Sequence, residues 1–335
     1  MSVFAGSPLP GEGVVSAGDL GAAEWARARN IHIAPGEFYA CWQWGITRWL
    51  AKADPDVLIL EANPRELSNA SALGWMRGRG RPVLLWGLGA AARRGPLAAL
   101  RLAMRRAMWG GAAGAIAYSR RGKREFEQLG FPPERVFVAP NAVTPRPSPK
   151  PSESAPRNQD GALRILFVGR LQPRKRVDLL IEAAASQTAP VELIVAGDGP
   201  ARVDLQALAL SRRANATFLG DVRGAELEAV YERADLFVLP GTGGLAVQQA
   251  LAHSLPVIVA QGDGTQEDMV TPVNGWRIAD GDVASLREAI QEAAADRPKL
   301  AQKGRASWQL ARDRFNLEAM TEVFVQAVTA VSKGF

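Results

Sequence analysis

The chain predicts an α/β fold built from two doubly wound parallel sheets. Three observations carry this. Short apolar runs alternate with helical patterns on both sides of one Pro/Ser-rich stretch. Glycines fall at the ends of the apolar runs in the second half. The 335 residues, 47% of them hydrophobic, suffice for two cores of ordinary size.

The organising stretch is Ile165 to Asp178. Ile165-Leu166-Phe167-Val168 suits a buried parallel strand. Gly169 ends it and lets backbone approach a ligand closely. Arg170, Arg174, Lys175 and Arg176 crowd the loop that follows, and Val177, Leu180, Ile181 and Ala184 then recur at helical spacing. Cations beside a helix N-terminus suit a phosphate. Taken alone, the stretch fits equally an ordinary turn with surface arginines.

Composition narrows the class. No apolar run reaches the roughly 18 residues that span a bilayer. The start, M-S-V-F-A-G-S-P-L-P, lacks the basic and apolar regions of a secretory signal. Cys41 is the only cysteine, so no internal disulfide forms and a cytosolic protein is expected. His32 and His253 are the only histidines, so a zinc site is not expected. Residues 1–150 hold 20 Lys and Arg against 11 Asp and Glu, a net of +9. Of the totals of 40 and 34, that leaves 20 and 23 in residues 151–335, a net of −3. The basic half calls for an anionic neighbour: nucleic acid, a membrane surface or a phosphorylated substrate.

In the first half, Ser2–Ala5 reads as a short strand and Glu24–Asn30 as a helix end. The aromatic stretch Phe38 to Ile46 is expected to pack in the core, with a binding wall as the alternative. Strands are expected at 56–61, 82–86, 114–118 and 136–139, so residues 32–145 read as one parallel sheet. Ligands bind outside the carboxyl ends of such strands. Asn63, Arg65 and Ser68 follow the first of these strands, although Ser68 or Asn69 would also cap the next helix. Arg93, Arg94, Arg101, Arg105 and Arg106 interleave with Leu97, Leu100, Met104, Met108 and Trp109 after Pro96. That pattern is either a helix lying on an anionic membrane or a solvated face.

Residues 146–161 form the Pro/Ser-rich linker between a first domain, 1–145, and a second, 162–310, with a helical segment 311–335 after it. In the second domain strands are expected at 165–168, 191–196, 216–219, 236–239 and 257–260. Helices are expected at 177–186, 201–213, 225–233, 245–254 and 283–295. Gly241 to Gly244 could present backbone N–H groups to a phosphate or sugar at a helix start.

Together the segments V-G-R-L-Q-P-R-K-R-V-D-L-L-I-E-A, V-A-G-D-G-P, F-L-G-D-V, A-D-L-F-V-L-P, A-L-A-H-S-L-P-V-I-V-A and V-N-G-W-R-I-A-D-G-D resemble, in order and spacing, the GT-B-fold glycosyltransferases of family 4, glycosyltransferase group 1. In the first domain L-W-G-L-G, Y-S-R-R-G-K and F-V-A-P-N-A-V look like the family's segments. The resemblance implies two Rossmann-like domains facing a cleft. It implies a retaining, metal-independent hexosyl transfer from a nucleotide-diphosphate sugar, UDP- or GDP-linked, to a glycan or lipid-linked acceptor. No cofactor is implied. Carried over, Arg170 and Lys175 hold the donor diphosphate with Gly169. Gly199, Gly220, Asp221, Val222, Gly241, Thr242, Gly243, Gly244, Leu245 and Gln249 line the donor side. Asn63, Arg65, Ser68, Gly87, Leu88, Gly89, Tyr118, Ser119 and Asn141 line the acceptor side. The final helices cross back onto the first domain.

Three departures qualify the match. Where the family carries two glutamates with seven residues between them, this chain has Gly241 and Gln249. Where it often carries a cleft histidine, this chain has Leu88. The opening strand and its glycine turn are shortened unless Met1–Gly6 serves. Two function classes follow. One is a cytoplasmic glycosyltransferase of cell-surface polysaccharide or glycolipid synthesis, resting peripherally on the membrane through residues 91–109. The other is a non-catalytic relative that binds a nucleotide or glycan, or scaffolds a synthesis complex. Nucleic-acid binding is not expected, because no motif accompanies the basic charge. The oligomeric state stays open.

Overall fold

The computed structural model describes residues 1–7, 21–33, 39–89, 98–148 and 161–333. Phe38, Arg93, Arg94, Pro96, Leu97 and most of the expected linker lie outside the described residues. The chain divides into two compact units: residues 1–139 with 323–335, and residues 140–322.

In the first unit, β5 (Leu58–Glu61), β6 (Val83–Gly87), β7 (Gly114–Ala117) and β8 (Val136–Val138) form one parallel sheet in that order. The inner strands β6 and β7 are buried almost throughout, whereas edge strand β5 alternates buried and exposed residues. Leu50, Met76, Leu85 and Phe126 are among the side chains of its core. Helices α1 (Ile46–Ala53), α2 (Asn69–Arg77), α3 (Ala98–Trp109) and α4 (Arg120–Gln128) separate the strands.

The start of the chain departs from expectation. Glu24–Arg27 is a strand, β2, paired in parallel with β1 (Ser2–Ala5), not a helix end. Pairing overrides the local pattern here: Trp25 Nε1 donates to the Ala5 carbonyl at 3.1 Å. Residues 32–33 and 40–44 are not part of the parallel sheet either, because β3 (Arg29–Ile33) and β4 (Ala40–Trp44) form a separate antiparallel pair. Successive residues of a strand face opposite ways. Cys41 therefore turns inward, while Trp44 is 65% exposed rather than packed in the core.

The second unit holds six parallel strands in the order β11-β10-β9-β12-β13-β14. They are β9 (Leu163–Val168), β10 (Val191–Ala196), β11 (Ala216–Gly220), β12 (Leu236–Leu239), β13 (Val257–Ala260) and β14 (Gly275–Ile278). The last was not expected, since G-W-R-I offers no apolar run. Between them lie α5 (Val177–Ala185), α6 (Arg202–Ser211), α7 (Gly224–Arg233), α8 (Leu245–Ala252) and α9 (Thr265–Met269). The winding reverses between β9 and β12, and a doubly wound sheet binds ligands at such a reversal. Arg164 clamps the sheet by giving a backbone and two guanidinium hydrogen bonds to buried Asp235, at 3.0 to 3.1 Å.

Three helices complete the chain: α10 (Val283–Ala295), α11 (Arg297–Asp313) and α12 (Leu317–Ser332). Asp296 stops one and starts the next, its carboxylate accepting from the Lys299 N–H, with proline inside the first turn. Residues 140–145, read from sequence with the first domain, group with the second unit. The reason is local: Val143 N donates to Gln248 Oε1 at 3.1 Å, and Leu317 N donates to the Thr144 carbonyl at 3.0 Å. Among the described residues no helix is long and apolar enough to cross a membrane.

Candidate functional site

The second unit gathers its candidate site residues chiefly at the carboxyl ends of the adjacent strands β9, β12 and β13. After β9 come Gly169 and half-buried Arg170, then a short 3-10 turn, Pro173–Lys175. Arg176 follows with φ of 53°, a left-handed conformation that turns the chain into α5. This basic loop is bonded to the glycine loop after β12. Thr242 N donates to the Arg174 carbonyl at 3.1 Å. The Arg174 guanidinium donates to Thr242 Oγ1 at 3.0 Å, and Lys175 Nζ donates to the Thr242 carbonyl at 2.6 Å. Burial, and then the charge of Arg174, hold the Lys175 pKa below the ordinary lysine value, while Asp263 opposes them. A half-buried cation with one side-chain hydrogen bond among the described residues suits a phosphate oxygen.

Two expectations for the glycine loop need correction. Gly241 is buried, and a Cβ there would lie 2.3 Å from the Arg174 carbonyl oxygen and 2.6 Å from the Lys175 carbonyl carbon. Gly241 therefore faces the basic loop's backbone rather than open space, and a glutamate cannot be accommodated in this arrangement. The Thr242 N–H is already bonded to Arg174, so it is not a free donor to a phosphate. Gly243, at φ of 147°, comes close to the ammonium instead: a Cβ there would lie 2.6 Å from Lys175 Nζ. Gly244 starts α8, and Leu245 is 43% exposed.

Further along α8, Gln249 is half-buried and its Oε1 accepts from the Tyr231 hydroxyl at 3.3 Å. The Tyr231 ring is buried and stacks on His253, with centroids 4.9 Å apart. His253 in turn meets Glu228 at 2.8 Å. At the ends of β10 and β11, the Gly199 N–H donates to Asp198, which also pairs with Arg202 at 2.8 Å. The Arg202 guanidinium reaches over Gly220. Asp221 pairs with Arg223 at 2.6 Å on the surface, and Val222 is buried beneath.

The first unit brings together most of the acceptor-side candidates at the carboxyl ends of its own strands. Asn63 Oδ1 accepts from Arg65 N at 3.1 Å, forming a tight turn after β5. Ser68 is fully buried; its hydroxyl accepts from Gln43 N at 3.3 Å and does not face a ligand. Ser119 is also fully buried and caps α4 by accepting from Gly122 N at 3.0 Å. Gly87 packs against Ala62, Leu88 is 44% exposed, and Gly89 faces Gly122. Tyr118 is half-buried edge-on to Trp86, and burial, aided by Glu61, pushes its hydroxyl up to about 12. Asn141 belongs to the second unit.

Sequence reasoning passed over Glu61, Glu66 and Trp86 in the first unit. Burial, and then Glu61, raise the Glu66 carboxyl above its ordinary value. It also passed over Asp263, Thr265 and Gln266 in the second. Gln266 Nε2 donates to the Gly243 carbonyl from a fully buried position. Gly262-Asp263-Gly264, one residue after an apolar strand, was the available signal, similar to the one that marked the other loops.

Comparison with known proteins gives a consistent assignment. Residues 151–308 match the family described as glycosyl transferases group 1, and residues 5–142 match the glycosyl transferase 4-like domain. A GDP-mannose-dependent alpha-mannosyltransferase of Mycolicibacterium smegmatis is 37% identical over 143 residues, covering 41% of this chain and 36% of that protein. A D-inositol 3-phosphate glycosyltransferase of Gordonia bronchialis is 29% identical over 229 residues, covering 62% of this chain and 49% of that protein. The matched stretch thus spans about a third to a half of these curated relatives' length. The crystal structure of Anabaena HepE in complex with UDP superposes with a TM-score of 0.71 at 17% identity, covering 92% of this chain and 86% of that one.

Proposed function

Because the chain belongs to the group 1 glycosyltransferases of GT-B fold, we propose that it transfers a hexose from a nucleotide-diphosphate sugar to a glycan or lipid-linked acceptor, with retention and without a metal ion. The observation that carries this is the meeting of Lys175 with the glycine loop at the winding reversal of the second sheet. A departing nucleoside diphosphate gathers negative charge as the glycosidic bond breaks. Lys175 and Arg170 supply fixed positive charge for it, and a fixed charge needs little reorganisation during the reaction. Retention follows if the acceptor hydroxyl attacks from the face the diphosphate leaves, its proton passing to a phosphate oxygen.

The donor base is uracil or guanine in this reading. It is supported by the GDP-mannose dependence named for the mycobacterial relative and by the UDP of HepE. The acceptor side lies at the carboxyl ends of β5, β6 and β7, around Asn63, Leu88 and Tyr118. Membrane contact is supported by α3, which exposes Leu100 at 56% and Met104 at 59% one turn apart, beside Arg105 and Arg106. That placement suits a cytoplasmic, peripheral enzyme of polysaccharide or glycolipid synthesis.

Calorimetric titration with UDP and GDP, in chelator, tests the donor site. Selective binding of one diphosphate, followed by slow hydrolysis of its sugar conjugate, is the expected result. Binding of neither would leave a non-catalytic relative as the reading. The anomeric configuration of the product, read by proton NMR, tests retention. Sedimentation with phosphatidylglycerol vesicles tests the membrane contact, which salt should weaken.

A further inference from the structure

Asp263 stands in the loop after β13, beside the basic loop and the glycine loop. Sheet order makes this so, because β9, β12 and β13 are neighbours and the loops at their carboxyl ends are neighbours too. Two contacts fix the arrangement. Gln266 Nε2 donates to the Gly243 carbonyl, and Thr265 Oγ1 lies 3.1 Å from where a Cβ on Gly244 would stand. The charge of Asp263 acts on Lys175, whose ammonium borders Gly243.

The Asp263 carboxylate is held at one end and free at the other. Its Oδ1 accepts from Thr265 N at 3.0 Å and from Thr265 Oγ1 at 2.6 Å. Its Oδ2 has no hydrogen bond among the described residues, and the side chain is exposed. A carboxylate oriented by one oxygen presents the other in a fixed direction at little entropic cost. Gly241, by contrast, has no room for a side chain of any kind.

We propose that Asp263 binds the donor sugar, accepting hydrogen bonds from its ring hydroxyls through Oδ2, and so supplies the carboxylate that the glycine loop cannot carry. This rests on the donor site proposed above. A carboxylate in that place favours a neutral hexose, whose hydroxyls donate to it. It disfavours a hexuronate, whose own carboxylate it repels.

The test separates the sugar from the nucleotide. Calorimetry is run with UDP, GDP, UDP-glucose and GDP-mannose on wild type, Asp263→Asn and Thr265→Val, with unfolding midpoints measured alongside. Asn keeps an oxygen for Thr265 but loses the charge; Val loosens the pin and keeps the carboxylate. Asp263→Asn is expected to leave the bare diphosphate within about 2-fold and to weaken the sugar conjugate by roughly 10-fold or more, on the scale of charge-assisted hydrogen bonds. Thr265→Val is expected to keep most of the sugar increment. Equal losses for diphosphate and conjugate would mean that Asp263 acts through Lys175, and would overturn the proposal. So would unchanged binding of the conjugate. A wild type that binds no diphosphate removes the donor site itself, and this assignment with it.

Discussion

Lys175 Nζ donates to the carbonyl oxygen of Thr242 at 2.6 Å, tying the basic loop after β9 to the glycine loop after β12. A carbonyl oxygen is a modest acceptor, and a phosphate oxygen is a stronger one. The bond therefore positions the ammonium without saturating it. Lys175→Ala is expected to cost about 2–4 kcal/mol in transition-state stabilisation, by analogy with a lost oxyanion donor. That appears as a fall in kcat/KM of roughly 30- to 1000-fold. Arg170→Ala, assayed in parallel, is expected to fall in the same direction. Unchanged rates in both variants would remove the diphosphate assignment.

The same burial predicts a pH dependence. Lys175 loses its proton more readily than an ordinary lysine, chiefly because burial penalises the charged form. Diphosphate binding needs the protonated amine. Affinity is therefore full below the depressed pKa and falls as pH rises through it. The fall begins earlier than an ordinary lysine at about 10.4 would give. Calorimetry stepped upward from neutral pH, where the nucleotide phosphates have largely completed their own titration, reads the fall. In Lys175→Arg the decline is expected to shrink to what deprotonation of the nucleotide base alone produces, since guanidinium stays charged throughout.

Gly241 makes a structural prediction that a motif comparison would miss. A Cβ at that position overlaps the Arg174 carbonyl, which is backbone and cannot swing aside. Gly241→Ala is expected to cost on the order of 1–3 kcal/mol of stability, the usual scale for overpacking. It should also weaken diphosphate binding by displacing Lys175. Gly241→Glu is expected to be worse, not a restoration of family-like activity. Denaturant unfolding with parallel calorimetry checks both; a gain of activity in Gly241→Glu would show that the two loops part readily.

How legible all this was depended on where the information lies. Strands such as Val257–Ala260 are buried on both faces, so their apolar runs announced them. Strand β14 carries Trp276 and Arg277 at the sheet edge, and its pattern disappears into the loop. Glu24–Arg27 becomes a strand only because Ser2–Ala5 pairs with it across a long separation, which no local window contains. The basic loop was readable because its charge is concentrated within a few residues. Ser68 and Ser119 looked like surface candidates by position along the strands. Their hydroxyls instead turn inward to satisfy backbone N–H groups, a choice that sequence leaves open. Asp263 had a visible glycine-flanked signature, but its meaning came only from sheet order, which set its loop beside those of β9 and β12.

Gln248 predicts a pH-dependent stability that can be switched by one substitution. Its side chain is fully buried. Oε1 accepts from Val143 N at 3.1 Å, while Nε2 donates to the Phe315 carbonyl at 2.7 Å and to Thr144 Oγ1. One carboxamide thus fastens two chain segments distant in sequence to α8. Gln248→Leu has similar size but satisfies none of these groups, and is expected to lose about 2–4 kcal/mol through the stranded partners. Gln248→Glu is more telling. As a carboxylate it would accept from Val143 but confront the Phe315 carbonyl with a second negative oxygen. As a carboxylic acid it could donate there. Its folded-state pKa should lie above the unfolded value, so its stability is retained at low pH and lost as pH rises through the folded pKa. The unfolding midpoint of Gln248→Glu, taken relative to wild type at each pH, should therefore start to fall above about pH 4.3, the ordinary glutamate value, and level off above the folded-state pKa. Gln248→Leu should show a constant deficit. Parallel curves for the two variants would mean that the Phe315 contact does not bear on stability, and would leave Val143 as the bond that matters.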